Sequence, residues 1–196
     1  MSQTKIKASG FDVDVISGTT ALAAQPASDD EIVISDGGTL KRLDIKHIQG
    51  TPAFEAYLSS SSSQLSDDTD TKVEFNTEIY DTDGTYDNST NYRFTPAVAG
   101  KYYIYGKLSF DDTNIAANTD EHMAKVYKNG SQESVYYKFA TGNDNYLVFA
   151  EVLDLDGDDY IEIYAKINNS NGGRVVRGAS ANQKYTTFGA FRITGV

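Results

Sequence analysis

The chain has 196 residues, room for one domain of ordinary size and an appendage, and it contains no cysteine, so neither disulfides nor thiolate metal sites can hold it together. Its 28 acidic against 17 basic side chains leave a formal net charge of -11, a field that repels phosphate and sets nucleic acid aside as a partner. No run approaches the roughly 18 apolar residues of a membrane span, and none near the start has signal-peptide length, so the expectation is a chain that is soluble as made.

In chain order, two regions separate near Gly50-Thr51-Pro52, giving an N-terminal segment 1–51 and a second region 52–196 that carries nearly all the excess negative charge. The first holds an alternating piece, Phe11 to Ile16, then a small-residue connector from Gly18 to Ser28. Glu31 to Ser35 and Thr39 to Ile45 are short β-prone runs joined by Asp36-Gly37-Gly38, which predicts a hairpin with a three-residue connection. A region of about 50 residues with so few apolar side chains is not expected to stand alone and should dock on something, as an anchor does. Its candidate anchoring residues are Ile32, Ile34, Asp36, Gly37, Gly38 and Leu40.

The second region reads as strand after strand. Ala53 to Leu58 opens it, the serine run Ser59 to Ser63 reads as a flexible surface loop, and Gly100 to Phe110 is a long strand. Met123 to Lys128 and Ser131 to Phe139 flank Asn129-Gly130, the strongest local hairpin signal, since Asn-Gly accepts the positive φ angles of a type I′ turn. Asn145 to Leu153 and Tyr160 to Ile167 are joined by the acidic turn Asp154 to Asp159, and Tyr185 to Ile193 closes the chain. No segment sustains a 3.6-residue period, so the fold class is all-β: eight to ten short strands with regular turns, a β-sandwich or jelly roll. Alternation along Tyr102-Tyr103-Ile104-Tyr105 sends Tyr102 and Ile104 to one face and Tyr103 and Tyr105 to the other. Two apolar faces on one strand need two burials: a second copy can supply the outer one, or a loop of the same subunit can.

The aromatics between residues 75 and 110 carry a resemblance. Phe75, Asp81, Tyr86, Gly100 and Tyr102 fall at the spacing of the C1q globular head, the jelly roll shared with tumour necrosis factor, with Phe94 one residue late. Ile104 stands where that pattern has Phe, and Gly106 where it has an aromatic. Leu153-Asp154-Leu155-Asp156-Gly157-Asp158 is similar to the family's acidic turn, and Thr187 to Ile193 to its closing strand. The resemblance implies a C1q/TNF-like jelly-roll head over 52–196, with Phe75, Tyr86, Phe94, Gly100, Tyr102 and Phe191 as its core signature. It also implies a homotrimer, with Tyr103, Tyr105, Phe149 and Phe188 at the contact between subunits. The N-terminal "SDGGTLKRLD" resembles modules of bacteriophage tail-fibre and other virion structural proteins, marine ones in particular. That implies a trimeric fibre, knob or capsid decoration on the virion surface, bound to other virion proteins through 1–51. A host-receptor tip that binds surface glycan, and a secreted lectin-like protein, are the alternatives.

Little in the chain suggests catalysis. His47 and His122 are far apart and expected to face solvent, no Ser-His-Asp triad can be assembled, and the reading is not an enzyme. Asp154, Asp156, Asp158 and Asp159 around Gly157 suggest part of an EF-hand loop, but Ala165 stands where its bidentate Glu belongs, so they read as turn residues. Calcium is the candidate ion, with Asp111, Asp112 and Asp120 as candidate ligands.

Overall fold

Gly37 and Gly38 sit at φ +56° and +85°, the doubly positive arrangement of a type I′ turn, between β1 (Glu31–Asp36) and β2 (Thr39–Asp44). The connection therefore has two residues, not the three expected: Asp36 stays in the ladder opposite Thr39, its carboxylate bound to Lys41. Arg42 closes the other end on Glu31 at 2.8 Å. The register puts Ile32, Ile34 and Leu43 on one face of the hairpin and Val33 and Leu40 on the other. The candidate anchoring residues are thus divided between its two faces and its turn. The computed structural model describes residues 24, 26, 27, 29–45, 51–111, 120–140, 144–168 and 174–193, so His47 lies outside the described residues. The chain divides into two units, Met1–Gly50 and Thr51–Val196.

The second unit is built from β3 (Ala53–Tyr57), β4 (Thr71–Lys72), β5 (Thr77–Asp81), β6 (Tyr86–Asp87), β7 (Arg93–Phe94), β8 (Gly100–Asp111) and β9 (Glu121–Lys128). After these come β10 (Ser131–Phe139), β11 (Asp144–Leu155), β12 (Ile161–Asn168), β13 (Val175–Val176) and β14 (Thr187–Arg192). One sheet runs β10-β9-β12-β7-β6 with β4 added to β12; the other runs β11-β8-β14-β3-β5 with β13 added to β8. All named strand pairs are antiparallel, and the chain passes from one sheet to the other between β8 and β9, β10 and β11, and β11 and β12. No helix occurs among the described residues. This is an all-β jelly-roll sandwich.

Aromatic side chains fill the space between the sheets. Phe54 stacks on Tyr86 at 4.7 Å and on Phe94 at 4.8 Å, Phe188 meets Phe54 edge-on at 5.0 Å, and Tyr102 meets Phe94 at 5.4 Å. All five are buried with Phe75, each contributing about 1.5–3 kcal/mol through the area it removes from water. The buried hydroxyls are satisfied: Tyr86 donates to the Phe75 carbonyl at 3.1 Å and Tyr102 to that of Val98 at 2.7 Å. The Asn129-Gly130 turn forms at φ +53° and +77°, and its Asn129 amide donates to Asp159 at 2.6 Å, tying the hairpin tip to the acidic turn before β12.

Two expectations are corrected here. The serine run is pinned and not loose: Ser62 N donates to the Val176 carbonyl, Ser62 Oγ accepts from Val176 N, and Ser61 Oγ accepts from Gly178 N at 3.1 Å. Its hydroxyls act as strand partners, which polar side chains next to an edge can do. His122 is fully buried, its ring stacked on Phe110 at 4.4 Å. It alternates with Ala124 and Val126 along β9, and that period puts it inside.

Candidate assembly surface

The inner side of the β11-β8-β14-β3-β5 sheet faces the core, so its outer side should carry polar groups. It carries aromatics instead. Tyr103 and Tyr105 alternate outward from β8, and Phe191 lies opposite Tyr103 on β14. The three rings form one cluster, with centroids 6.0 Å apart between the tyrosines and 5.3 Å from Tyr103 to Phe191. Val148, 70 % exposed, and Val152 extend it along β11, and Tyr80 on β5 reaches the Tyr105 hydroxyl at 3.2 Å. Burial first, and then the neighbouring Tyr80 and Glu55, push the Tyr105 hydroxyl well above its ordinary pKa, so the ring is neutral at physiological pH.

The register separates core from surface differently from the sequence reading. Paired residues share a face, so Phe188, opposite Gly106, points inward and is fully buried, while Phe191 points outward at 40 % exposure. Phe188 therefore belongs to the core and Phe191 to the surface, the reverse of the expected assignment. Phe149 is also a core residue: it lies opposite Gly106, where a Cβ would come within 2.4 Å of its ring. The aromatic that the family pattern has at position 106 is supplied across the ladder by Phe149, and Gly106 leaves room for it. Of the four residues assigned to a subunit contact, Tyr103 and Tyr105 lie on this face. Gly100 adopts φ +151° with the Arg192 guanidinium packed across it.

A second surface adjoins the first where β10 and β11, the edge strands of the two sheets, close one side of the sandwich. Ser134 Oγ donates to Glu151 at 2.6 Å and the Tyr136 hydroxyl to the Ala150 carbonyl at 2.9 Å across this seam. The register slips between Gln132 and Ser134, so Glu133 is a bulge residue turned off the ladder, near enough to Glu151 for its charge to matter. Burial raises the pKa of Glu151 against the pull of the Ser134 hydrogen bond, and Glu133 raises it further. Beside the seam, Val135, Tyr137 and Phe139 stand exposed on the outer side of β10. Nothing local in the sequence foretold the bulge.

One of the acids considered as calcium ligands already faces a cation. Asp120 is buried against Arg174, carboxylate to guanidinium 2.8 Å, because a charge that deep needs an opposite one. Asp111 is exposed at the end of β8, and Asp112 lies outside the described residues. In the acidic turn, Asp154 pairs with Lys101 at 3.1 Å, Asp156 accepts from the Asp158 amide, and Asp159 holds Lys128 at 2.9 Å. Among the described residues no three His, Asp or Glu side chains form a group that could hold a metal ion. The Asp120–Arg174 pair had no signal in the sequence, since its partners are 54 residues apart.

The C1q domain family model matches residues 53–193. The globular domain of zebrafish complement 1qA protein is 20 % identical, with 72 % of this chain and 97 % of that chain covered and a TM-score of 0.51. Eiger TNF from S. frugiperda is 10 % identical, with 76 % and 96 % covered and a TM-score of 0.55. Murine APRIL is 15 % identical, with 74 % and 100 % covered and a TM-score of 0.51. No curated protein sequence matches the chain.

Proposed function

Since the chain belongs to the C1q domain family, we propose that it is a non-enzymatic binding or structural module that assembles as a homotrimer through the aromatic face of its β11-β8-β14-β3-β5 sheet. The observation that carries this is the cluster of Tyr103, Tyr105 and Phe191, flanked by Val148 and Val152, on the outside of a sheet whose inside is already packed. A contiguous apolar patch of this kind marks an interaction surface. Light scattering of the purified protein tests it: the expected mass is three times the chain's 21.4 kDa. A single-chain mass at tens of micromolar would refute it.

The N-terminal hairpin supports a place for that trimer. A lone two-stranded hairpin is marginal in water, and this one exposes Val33 and Leu40, 70 % and 76 %. Together with the resemblance of its turn and second strand to phage anchor modules, it supports a virion role: the hairpin docks on other virion proteins, and the head is displayed as a short fibre, knob or capsid decoration. Gold-labelled antibody on particles of the source phage tests this reading. Label over the capsid fits decoration, label at the tail fits a fibre, and unlabelled particles refute a virion role.

A host-glycan tip is the second reading. It is favoured by a polar cleft of about 370 Å³ lined by Ser60, Ser63, Gln64, Lys72, Glu74 and Asn76, groups that hydrogen-bond sugar hydroxyls. Binding to host-surface polysaccharide, and its loss in Asn76→Ala with Gln64→Ala, tests it.

A further inference from the structure

We infer that Arg93 forms a carboxylate-binding subsite in a second cleft, so that the saccharide this head takes is an acidic one, carrying a uronic acid unit. The inference deepens the glycan reading above and rests on it. The second cleft has a volume of about 410 Å³, and Asp83, Thr85, Asn91, Arg93, Thr95 and Gly157 are among the residues that line it. That volume is in the range of small-ligand sites. Arg93 is half-buried, its guanidinium carbon 4.5 Å from the centre of the Tyr160 ring. Stacking of this kind occupies the flat of a guanidinium and leaves the forked donors at its edge open to a planar anion.

The carboxylates that flank Arg93 are committed elsewhere. Asp87 stands opposite it in the β6–β7 ladder, but its oxygens accept from the amides of Ser89, Thr90 and Asn91 at 3.1, 2.9 and 3.0 Å and from the Asn91 side chain at 2.8 Å. On the other side Ile161 pairs with Phe94, which sets Glu162 beside Arg93 on the outer face, and Glu162 holds Lys72 at 2.5 Å and accepts from the Tyr164 hydroxyl at 3.4 Å. Among the described residues Arg93 makes no ion pair or hydrogen bond. Tyr92, just before it, sits at φ +50°, a left-handed backbone that a ring-bearing residue rarely takes, so this turn is held against its local preference. The net charge of -11 repels anions at a distance, and an anion is therefore held here by direct contact with the guanidinium. Asn91 also joins the two clefts, since its carbonyl accepts at 3.3 Å from Lys72, which lines the Ser60–Asn76 cleft. A sugar chain in that cleft can continue into this one. A peptide partner would find no anchor pocket, because Tyr86 and Pro96 are buried and the open lining is hydroxyl, amide and carboxylate.

The test is calorimetric titration of the full-length protein with hexasaccharides of pectate, alginate and hyaluronate, and with the same hexasaccharides after reduction of their carboxylates to alcohols. An acidic hexasaccharide is expected to bind, and its reduced form to bind roughly 10-fold or more weakly. Arg93→Ala should lose the same factor for the acidic form and nothing for the reduced one, and Arg93→Lys should keep only part of it, since an ammonium lacks the fork. Asn76→Ala with Gln64→Ala should weaken both forms. Circular dichroism shows whether Arg93→Ala has folded; if it has not, the comparison of acidic with reduced hexasaccharides on the unmodified protein decides. The inference is overturned, and the glycan reading stands, if neutral host-surface polysaccharide binds and no acidic hexasaccharide does, if reduced and acidic forms bind alike, or if Arg93→Ala leaves acidic binding intact. Binding of a glutamate-rich peptide, with none of the saccharides bound, would put a protein partner in the cleft and overturn it as well. A protein that binds no saccharide, acidic or neutral, removes both readings.

Discussion

Replacing Phe188 by alanine separates a core residue from a contact residue on one strand. Phe188 is fully buried, with ring centroids 5.0 Å from Phe54, 5.5 Å from Phe75 and 5.9 Å from Tyr86. Truncating such a ring loses its transfer free energy and leaves a cavity, about 3–5 kcal/mol together. For a domain near 150 residues each kcal/mol moves the melting temperature by about 2–4 °C, so a drop of roughly 6–20 °C is expected. Phe191, three residues on, is 40 % exposed, and Phe191→Ala should cost a dissociated subunit only about 1 kcal/mol. Its main effect should appear as a lower melting temperature at concentrations where the protein is assembled, with little change once dilution has dissociated it, because it weakens association. Calorimetry of both variants over a hundredfold range of concentration reads the two effects. If Phe188→Ala alters only the concentration dependence while Phe191→Ala lowers the melting temperature at every concentration, the assignment of inner and outer faces is wrong.

Three further outcomes are expected. Gly106→Ala places a Cβ 2.4 Å from both the Thr187 carbonyl oxygen and the Phe149 ring, and should lower stability by about 1–3 kcal/mol or more, seen as a reduced urea midpoint. Asp120→Ala leaves the buried Arg174 charge without its carboxylate and should cost about 3–5 kcal/mol, whereas Asp120→Leu with Arg174→Met should recover much of it in the same titration. For Asp70, burial raises the pKa, but hydrogen bonds from Lys125 and Tyr127 outweigh it and the folded-state value lies below the unfolded one. Its contribution is therefore present above about pH 4, the ordinary Asp range, and lost as pH falls through the lower folded value. Asp70→Asn should accordingly flatten the acid limb of the stability profile below about pH 4, and an unchanged limb would show that Asp70 is not coupled to Lys125.

The fold was legible because its signals are local or evenly spaced. Phe75, Tyr86, Phe94 and Tyr102 fill one core, and the Asn129-Gly130 turn forms where the dipeptide puts it. The surface was legible only where one strand decides it: Tyr103 and Tyr105 follow from alternation along β8. Phe188 and Phe191 could be placed on opposite faces from their spacing, but which face is inside depends on the register of β14 against β8, a pairing of residues some 85 positions apart in sequence. Phe149 was misplaced for a related reason. A glycine at 106 reads as a missing aromatic until the neighbouring strand is seen to fill the gap. The Glu133 bulge and the Asp120–Arg174 pair likewise arise from long-range geometry that no spacing in the chain encodes.

The other sheet shows what this chain does with a surface meant for water. On the outside of β9, β12 and β4, Lys125 pairs with Asp70 at 2.7 Å, Lys72 with Glu162 at 2.5 Å and Lys166 with Asp68 at 2.6 Å, around Tyr127 packed with its ring 4.3 Å from that of Tyr164. Cations and carboxylates alternate there across strands, each satisfied within the subunit, and the tyrosines lie among them with their hydroxyls bound to Asp70 and Glu162. The aromatic face has the same strand architecture and a different chemistry: among the described residues Lys107 has no ion-pair partner, and Glu55 lies only at 3.5 Å from the Tyr105 hydroxyl. Composition cannot account for the difference, since both surfaces come from one acidic chain. Net charge opposes bringing copies together, so a contact between them has to be apolar over most of its area and neutralise the few charges it covers. Those are the features that separate this face from the ion-paired one.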